Sequence, residues 1–255
     1  FRPEHLAAAV QAKKHIFAEK PVCVDPVGAR SVMATAKKAE GMGLSIVTGT
    51  QRRHQRDYVA NWQQVAQGAI GDLVGGNVYW NGGKLWHRDN NPNWSEMEWM
   101  IRDWVNWTWL SGDHIVEQHV HNLDVMNWFF GAHPVKAVGM GSRLRRVTGD
   151  QYDNFSIDYT FENGVHVHSM CRQINGCANS VSERLQGSKG STNCQSTILN
   201  LAGEEIWKYE YPLDSDGKPT NSVSVDPYVQ EHIDLITAIR TGKPFNELEA
   251  TAIST

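Results

Sequence analysis

The chain has 255 residues, a net charge of −4, 40% hydrophobic and 20% charged residues, which suits one large or two modest globular domains and excludes a disordered chain. Lys and Arg are scattered rather than gathered in a basic stripe, which argues against a nucleic-acid binder. No apolar run approaches the roughly 20 residues of a membrane span. The four cysteines, Cys23, Cys171, Cys177 and Cys194, lack CxxC spacing and read as free thiols.

Residue 1 drops into a helical pattern, with Pro3 suited to a first turn, and the chain stops at Thr255 without a helix-stop signal, so both ends read as truncated. The first helix spans 3–14. Residues 15–18 read as a short buried strand, closed by Glu19-Lys20-Pro21. Asp25 as N-cap and Pro26 in the first turn open a second helix that runs to about residue 40 and ends at Gly41 and Gly43. Residues 44–48 form the next strand, and strand–helix–strand with short links predicts a parallel βαβ unit. A third helix covers 55–67. After Gly71 the pattern changes. Residues 73–80 read as a strand, 82–110 as loop, and 113–130 as one continuous helix stopped by Gly131. From Pro134 strands dominate. Residues 155–161 alternate, Glu162-Asn163-Gly164 supplies a hairpin turn, and the alternation resumes over 165–168. Further strands fit 180–186, 193–201 and 205–211. Asp226-Pro227 caps a last helix that ends near Gly242. The predicted fold class is α/β plus α+β: a parallel α/β piece over 1–71, then an open, mostly antiparallel sheet domain over 72–255 with a returning helix at about 226–241.

The helix from Asp113 carries the most chemistry. At about 100° per residue, His114, Glu117, His121, Asp124 and Trp128 share one narrow face, while Ile115, Val116, Val120, Leu123, Met126 and Phe130 share the opposite, core-facing one. A carboxylate at Glu117, four residues before His121, can orient that imidazole and raise its basicity, which suits a general base. A merely solvated helix face is the bland alternative, disfavoured because His is a poor residue for solubility. His114, Glu117 and His121 could also be read as a zinc set, but the spacing is not HExxH, so no metal is expected. His119 falls on the apolar side and reads as a satisfied core histidine. His166 and His168 read as cross-strand partners. Gly139-Met140-Gly141 lies in a strand with no helix behind it, so it is no dinucleotide fingerprint, and no Gly-x-Ser-x-Gly elbow occurs. Eight of the ten tryptophans lie between Trp80 and Trp128. Flat indoles there could stack on a sugar face, with Arg88, Asp89 and Arg102 as candidates for hydroxyl contacts, although at least half should be structural.

These residues resemble the Gfo/Idh/MocA oxidoreductases. Glu19-Lys20-Pro21 after a strand looks like that family's Glu-Lys-Pro motif. Glu117-x-x-x-His121-x-x-Asp124, followed by Trp128 and Gly131, looks like its Asp-x-x-x-His-x-x-Asp signature, with Glu in place of the first Asp. The segment from Tyr228, ending Ala238-Ile239-Arg240-Thr241-Gly242-Lys243-Pro244, is similar to its returning helix and Ala-Ile-x-x-Gly-x-Pro close. The resemblance runs the length of the chain. It implies a NAD- or NADP-dependent oxidoreductase acting on a secondary alcohol of a sugar, cyclitol or sugar derivative, with 1–71 as the C-terminal part of a partial Rossmann parallel sheet. Lys20 matches the catalytic lysine, His121 the catalytic histidine and Glu117 the orienting carboxylate. Glu19, Lys20, Pro21, Gln51 and Arg52 fall at cofactor-side positions. Lys20, His114, Glu117, His121, Arg88 and Arg102 are the candidate substrate contacts. The family's Gly-x-Gly-x-x-Gly segment should lie about 80 to 100 residues before the Lys-Pro, in the usual βαβ layout. Only 19 residues precede Lys20, so the phosphate-binding segment is not in this chain. The resemblance further implies a homodimer or homotetramer through the antiparallel sheet. Cytoplasm is the default compartment, with a periplasmic one left open. Two other readings stand beside this one: a redox-type glycosidase with bound NAD, and a non-catalytic sugar-binding or oligomerisation fragment.

Overall fold

The computed structural model describes residues 1–220 and 222–255. Its first unit is α1 (Arg2–Gln11), β1 (Ile16–Ala18), α2 (Pro26–Gly41) and β2 (Ile46–Thr48). The two strands pair in parallel with Ile16 opposite Ile46, as the βαβ pattern predicts. The α2 start follows from its sequence: Asp25 Oδ1 accepts from the Gly28 N–H at 2.6 Å, and Pro26 sits in the first turn. Val32, Ala36 and Ala39 then form a buried stripe at helical spacing. They pack with Leu6 and Val10 of α1, Val22 and Ile46.

After α3 (Arg56–Ala66) comes β3 (Leu73–Gly82), which enters a second, eight-stranded sheet. Next come α4 (Glu96–Arg102), α5 (Thr108–Ser111), α6 (Asp113–Glu117) and α7 (Val120–Phe130). The strands β4 (Lys136–Ser142), β5 (Asn154–Thr160), β6 (His166–Gln173), β7 (Ser180–Gly187), β8 (Gly190–Thr192), β9 (Thr197–Asn200) and β10 (Glu205–Lys208) complete the sheet. Last are α8 (Pro227–Thr241) and α9 (Leu248–Ser254). The order is β10-β9-β8-β7-β3-β6-β5-β4, antiparallel throughout except for the parallel β3–β6 pair. One face of this sheet is covered by α7 through Leu123, Val125, Met126 and Phe129, against Val78, Val167, Leu185 and Ile198. The chain end then returns to the first unit. Asn246 bridges to Ile46 in parallel, and Leu248 and Ala252 enter the α2 core.

Four expectations are corrected. Residues 82–110 are not all loop, since they hold α4, a 3-10 turn at Trp104–Asn106 and α5. The overlooked signal was Ser95-x-x-Glu98, whose Ser95 Oγ caps the Glu98 N–H at 3.1 Å. The 113–130 helix is broken between α6 and α7. His119 N–H reaches back five residues to the His114 carbonyl at 3.1 Å, and Asn122 N–H only three, to His119, at 3.0 Å. This π-type turn followed by a 3-10 turn is driven by tertiary contacts of His119, whose buried Nε2 meets Ser169 Oγ of β6 at 2.7 Å. The 193–201 strand is divided because Asn193 Oδ1 accepts from the N–H groups of Gln195, Ser196 and Thr197, making a turn between β8 and β9. The 205–211 strand stops at Lys208.

Candidate active site

Lys20 leaves the carboxyl end of β1, the end of a parallel strand at which open α/β sheets place ligands. Its Nζ donates to Glu117 Oε1 at 2.8 Å and also to the Glu117 carbonyl. The other Glu117 oxygen accepts from Gln118 Nε2 at 2.5 Å. Glu117 therefore orients Lys20, and the expected Glu117–His121 pair is corrected. The turn at Gln118–His119 removes the i,i+4 relation on which that pair depended.

His121 lies at the start of α7, buried, with its ring stacked on Trp80 at 5.7 Å between centroids and 26° between planes. Its Nδ1 is buried and has no partner. Burial pushes its pKa well below the ordinary value, and the positive charges of Lys20 and Arg52 add to this, so the ring is neutral at neutral pH. A neutral imidazole with an unengaged nitrogen, beside a lysine held by a carboxylate, is equipped to take a proton from a hydroxyl that the lysine also contacts.

Gln51 and Arg52 lie on the 3-10 turn directly after β2. Gln51 Nε2 donates to Tyr228 Oη at 3.2 Å, while its Oε1 is buried without a partner. Arg52 lies over the rings of Tyr58 and Trp80, at 5.6 and 5.7 Å, and is paired with Glu183. Glu183 also accepts from Asn122 Nδ2 at 2.6 Å and Tyr58 Oη at 3.0 Å. Burial raises its pKa even though these donors pull it down. Sequence reasoning missed Glu183, although a signal existed: it has the same parity on its strand as the inward-facing Leu185. Replacing Glu183 by Ala leaves Arg52 unpaired in the interior, and a loss of about 3–5 kcal/mol is expected. A double-mutant cycle with Arg52→Met, read by urea denaturation, checks it, and additive losses would refute the coupling.

The remaining predicted residues lie elsewhere. Asp124 is bracketed by Arg53, at 2.7 and 2.9 Å, and by Ser254 Oγ at 2.8 Å, so it ties α7 to the turn after β2 and to α9. His114 is buried, its Nδ1 3.2 Å from the Tyr152 carbonyl and its ring tilted on Phe155. The narrow shared face predicted for His114, Glu117, His121 and Asp124 is thus dispersed by the helix break. Arg102 pairs with Glu98 and lies over Trp94, and Arg88 lies over Trp86. Both are exposed and neither contacts the Lys20 cluster. Glu19 sits against Gly49 so closely that a Cβ there would collide with its carboxylate. His166 pairs with Asp158, and His168 with Ser156 and Tyr79. Among the described residues, no three His, Cys, Asp or Glu side chains are placed to hold a metal, and no helix is long and apolar enough to cross a membrane.

His119 has a stability consequence. Complete burial lowers its pKa from 6.5 to about 3. Between those values the unfolded chain binds a proton that the folded chain refuses. Its contribution is therefore intact above pH 6.5 and is lost toward pH 3, by about 1.4 kcal/mol per pH unit. Urea midpoints at pH 7, 5 and 4 for wild type and His119→Gln test this. The variant should lose about one proton's worth of slope, and parallel pH dependences would refute it.

The fold is that of an α/β protein with a short parallel unit and an open, mostly antiparallel sheet, with Lys20 within electrostatic reach of the buried His121. The family model of the GFO/IDH/MocA C-terminal domain matches residues 58–193, more than half of the chain. The chain belongs to the Gfo/Idh/MocA family. No curated protein matches. Among solved structures, myo-inositol 2-dehydrogenase from Lactobacillus plantarum is 19% identical with a TM-score of 0.67, covering 100% of this chain and 72% of its own. An oxidoreductase domain protein from Kribbella flavida is 18% identical with a TM-score of 0.77, over 99% of this chain and 73% of its own. Aldose–aldose oxidoreductase from Caulobacter crescentus is 16% identical with a TM-score of 0.71, over 99% and 70%.

Proposed function

We propose that this chain carries the substrate side of a NAD(P)-dependent oxidoreductase acting on a secondary alcohol of a sugar or cyclitol. The observation that carries this reading is Lys20, fixed by Glu117, within electrostatic reach of a buried neutral His121 whose Nδ1 has no partner. Residues 1–71 form the part that contributes to a cofactor domain, and 72–255 the substrate and assembly domain, with the helix at about 226–241 returning to the first. The sheet face turned away from α7 is the surface for a homodimer or homotetramer, and β4 is exposed along nearly all of it.

The residues fit a nicotinamide. Glu19, Lys20 and Pro21 border its place at the end of β1, and the unpaired, buried Gln51 Oε1 can accept from a carboxamide N–H. Gly49 leaves room for the Glu19 carboxylate at the same edge. When bound, the nicotinamide supplies the hydride acceptor or donor. Lys20 donates a hydrogen bond to the reacting oxygen and stabilises the negative charge that develops there. His121 takes the hydroxyl proton in the oxidation direction and returns it in reduction. Glu117 holds Lys20 in place, while Glu183, which accepts from Asn122, holds Arg52 above Trp80, on which the His121 ring stacks.

An NADH and NADPH titration, read by energy transfer from the tryptophans and followed by a sugar and cyclitol screen, tests the reading. Saturable transfer with either cofactor and reduction of NAD or NADP by a screened polyol support it. Release of an aglycone without net reduced cofactor assigns the chain to the redox glycosidases instead. Sugar binding with neither cofactor bound favours the non-catalytic fragment.

A further inference from the structure

Four consecutive residues just past β2 each grip a distant part of the fold. Gln51 donates to Tyr228 Oη of α8 at 3.2 Å, Arg52 pairs with Glu183 of β7, and Arg53 brackets Asp124 of α7 at 2.7 and 2.9 Å. His54 is buried, and both of its ring nitrogens face carboxylates. Nδ1 lies 2.7 Å from Asp234 Oδ2 of α8, and Nε2 lies 3.2 Å from Glu247 Oε2, just before α9. The His54 backbone N–H closes on the Gln51 carbonyl at 3.0 Å, so this ring and Gln51 belong to one turn.

A neutral imidazole carries one N–H and one lone pair. Between two carboxylates that lone pair would face an oxygen, so the geometry calls for the imidazolium, which donates to both. Burial alone lowers the pKa of the ring, but the hydrogen bonds and charges of Glu247 and Asp234 outweigh it and raise the pKa above 6.5. The other charges around the ring are Arg56 of α3, paired with Asp234 at 3.2 Å, Arg53, in the field of Glu247, and Lys243, on the same groove. Glu231 of α8 also faces this cluster. Burial pushes it up to about 8, against the His54 charge and with the charges of Glu19, Glu247 and Asp226 adding, so it stays neutral until then. Of the four gripping residues, only His54 can lose its hold by titrating near neutral pH.

We infer that protonated His54 is a positioning residue: it latches the turn that bears Gln51 and Arg52 to α8 and Glu247, and its deprotonation releases that turn. The consequence for the cofactor rests on the function proposed above, which sets Gln51 at the nicotinamide. The closed turn binds the proton more tightly than the open one. The latch is therefore intact below pH 6.5 and is lost as pH rises through the raised folded value. Within that window its opening constant rises about ten-fold per pH unit.

NMR titration of the His54 ring and hydrogen-exchange protection of the amides of 51–55 and 228–238, both from about pH 6 to about pH 9, test the latch with no ligand present. The ring should titrate above pH 6.5, and protection should fall about ten-fold per pH unit up to the same midpoint. Asp234→Asn, at a half-buried position, should lower both midpoints by about one unit or more. His54→Gln should leave these amides weakly protected, with no pH step. NADH affinity should fall about five-fold or more across the step in wild type and show no step in His54→Gln. A midpoint at or below pH 6.5, protection that ignores pH, or a step that stays in place in Asp234→Asn refutes the latch. A confirmed latch with NADH affinity unchanged across the step refutes the positioning role while the proposed function stands. Absence of NADH binding at every pH overturns the positioning role together with the cofactor side of the proposed function. Wild type and Asp234→Asn decide the latch even if His54→Gln fails to fold.

Discussion

Lys20→Met is expected to cut turnover of a polyol substrate by about 10²–10³-fold, the loss typical of one donor aimed at a developing oxyanion. It should also destabilise the fold. Glu117 is 6% exposed and its carboxylate faces Lys20, so removing the ammonium leaves a buried charge whose partner is gone. Breaking such a pair costs about 3–5 kcal/mol. The two effects separate in a double variant. Glu117→Gln on the Lys20→Met background removes the stranded charge and should restore most of the stability, while turnover stays low. Urea denaturation of the three variants, together with steady-state rates, makes the comparison. A double variant no more stable than Lys20→Met would show that the pair is not what holds this corner. Wild-type turnover in Lys20→Met would remove Lys20 from the mechanism.

His121→Asn should lower kcat by about 10²–10⁴-fold, the usual worth of a positioned general base, with KM within a few-fold. The pH profile carries a second check. Burial and the neighbouring Lys20 and Arg52 charges hold the ring's pKa well below 6.5, so His121 is already in its basic form at pH 6.5. The oxidation rate should therefore show no inflection from this group between pH 8 and 6.5, and should fall only at lower pH. The linkage to stability has the same sign. The folded chain refuses a proton that the unfolded chain accepts below pH 6.5, so His121 adds to the acid destabilisation expected from His119. An inflection near pH 6.5–7 that vanishes in His121→Asn would contradict the burial argument.

The contrast between α2 and the 113–130 segment explains how much was legible in advance. The α2 boundaries are local: a cap at Asp25, a proline in the first turn and glycines at the end each act within one turn of backbone. The βαβ order, the hairpin at Asn163-Gly164 and the start of α8 at Asp226-Pro227 rest on similarly short-range chemistry, whereas α9, which follows it, went unpredicted. The break between α6 and α7 has no local marker. It depends on Ser169, 50 residues away, offering a partner to the His119 ring. One inserted residue in the hydrogen-bond ladder turns every later side chain. The wheel that brought His114, Glu117, His121 and Asp124 together was therefore sound for a straight helix and wrong for this one. Lys20, His121 and Glu117 were singled out by resemblance, and in the structure the partner of Glu117 is Lys20 rather than His121. Glu183 went unnoticed because its function depends on Arg52, 131 residues away.

Periodicity, caps and turn residues were enough to settle the two-part architecture, because each acts through the backbone within a few residues. The pairing of Lys20 with Glu117, the neutrality of His121 and the anchoring of Arg52 by Glu183 were decided only by tertiary packing. Each depends on burial and on contacts between segments 50 to more than 100 residues apart, where the strength of an interaction is set by how completely water is excluded.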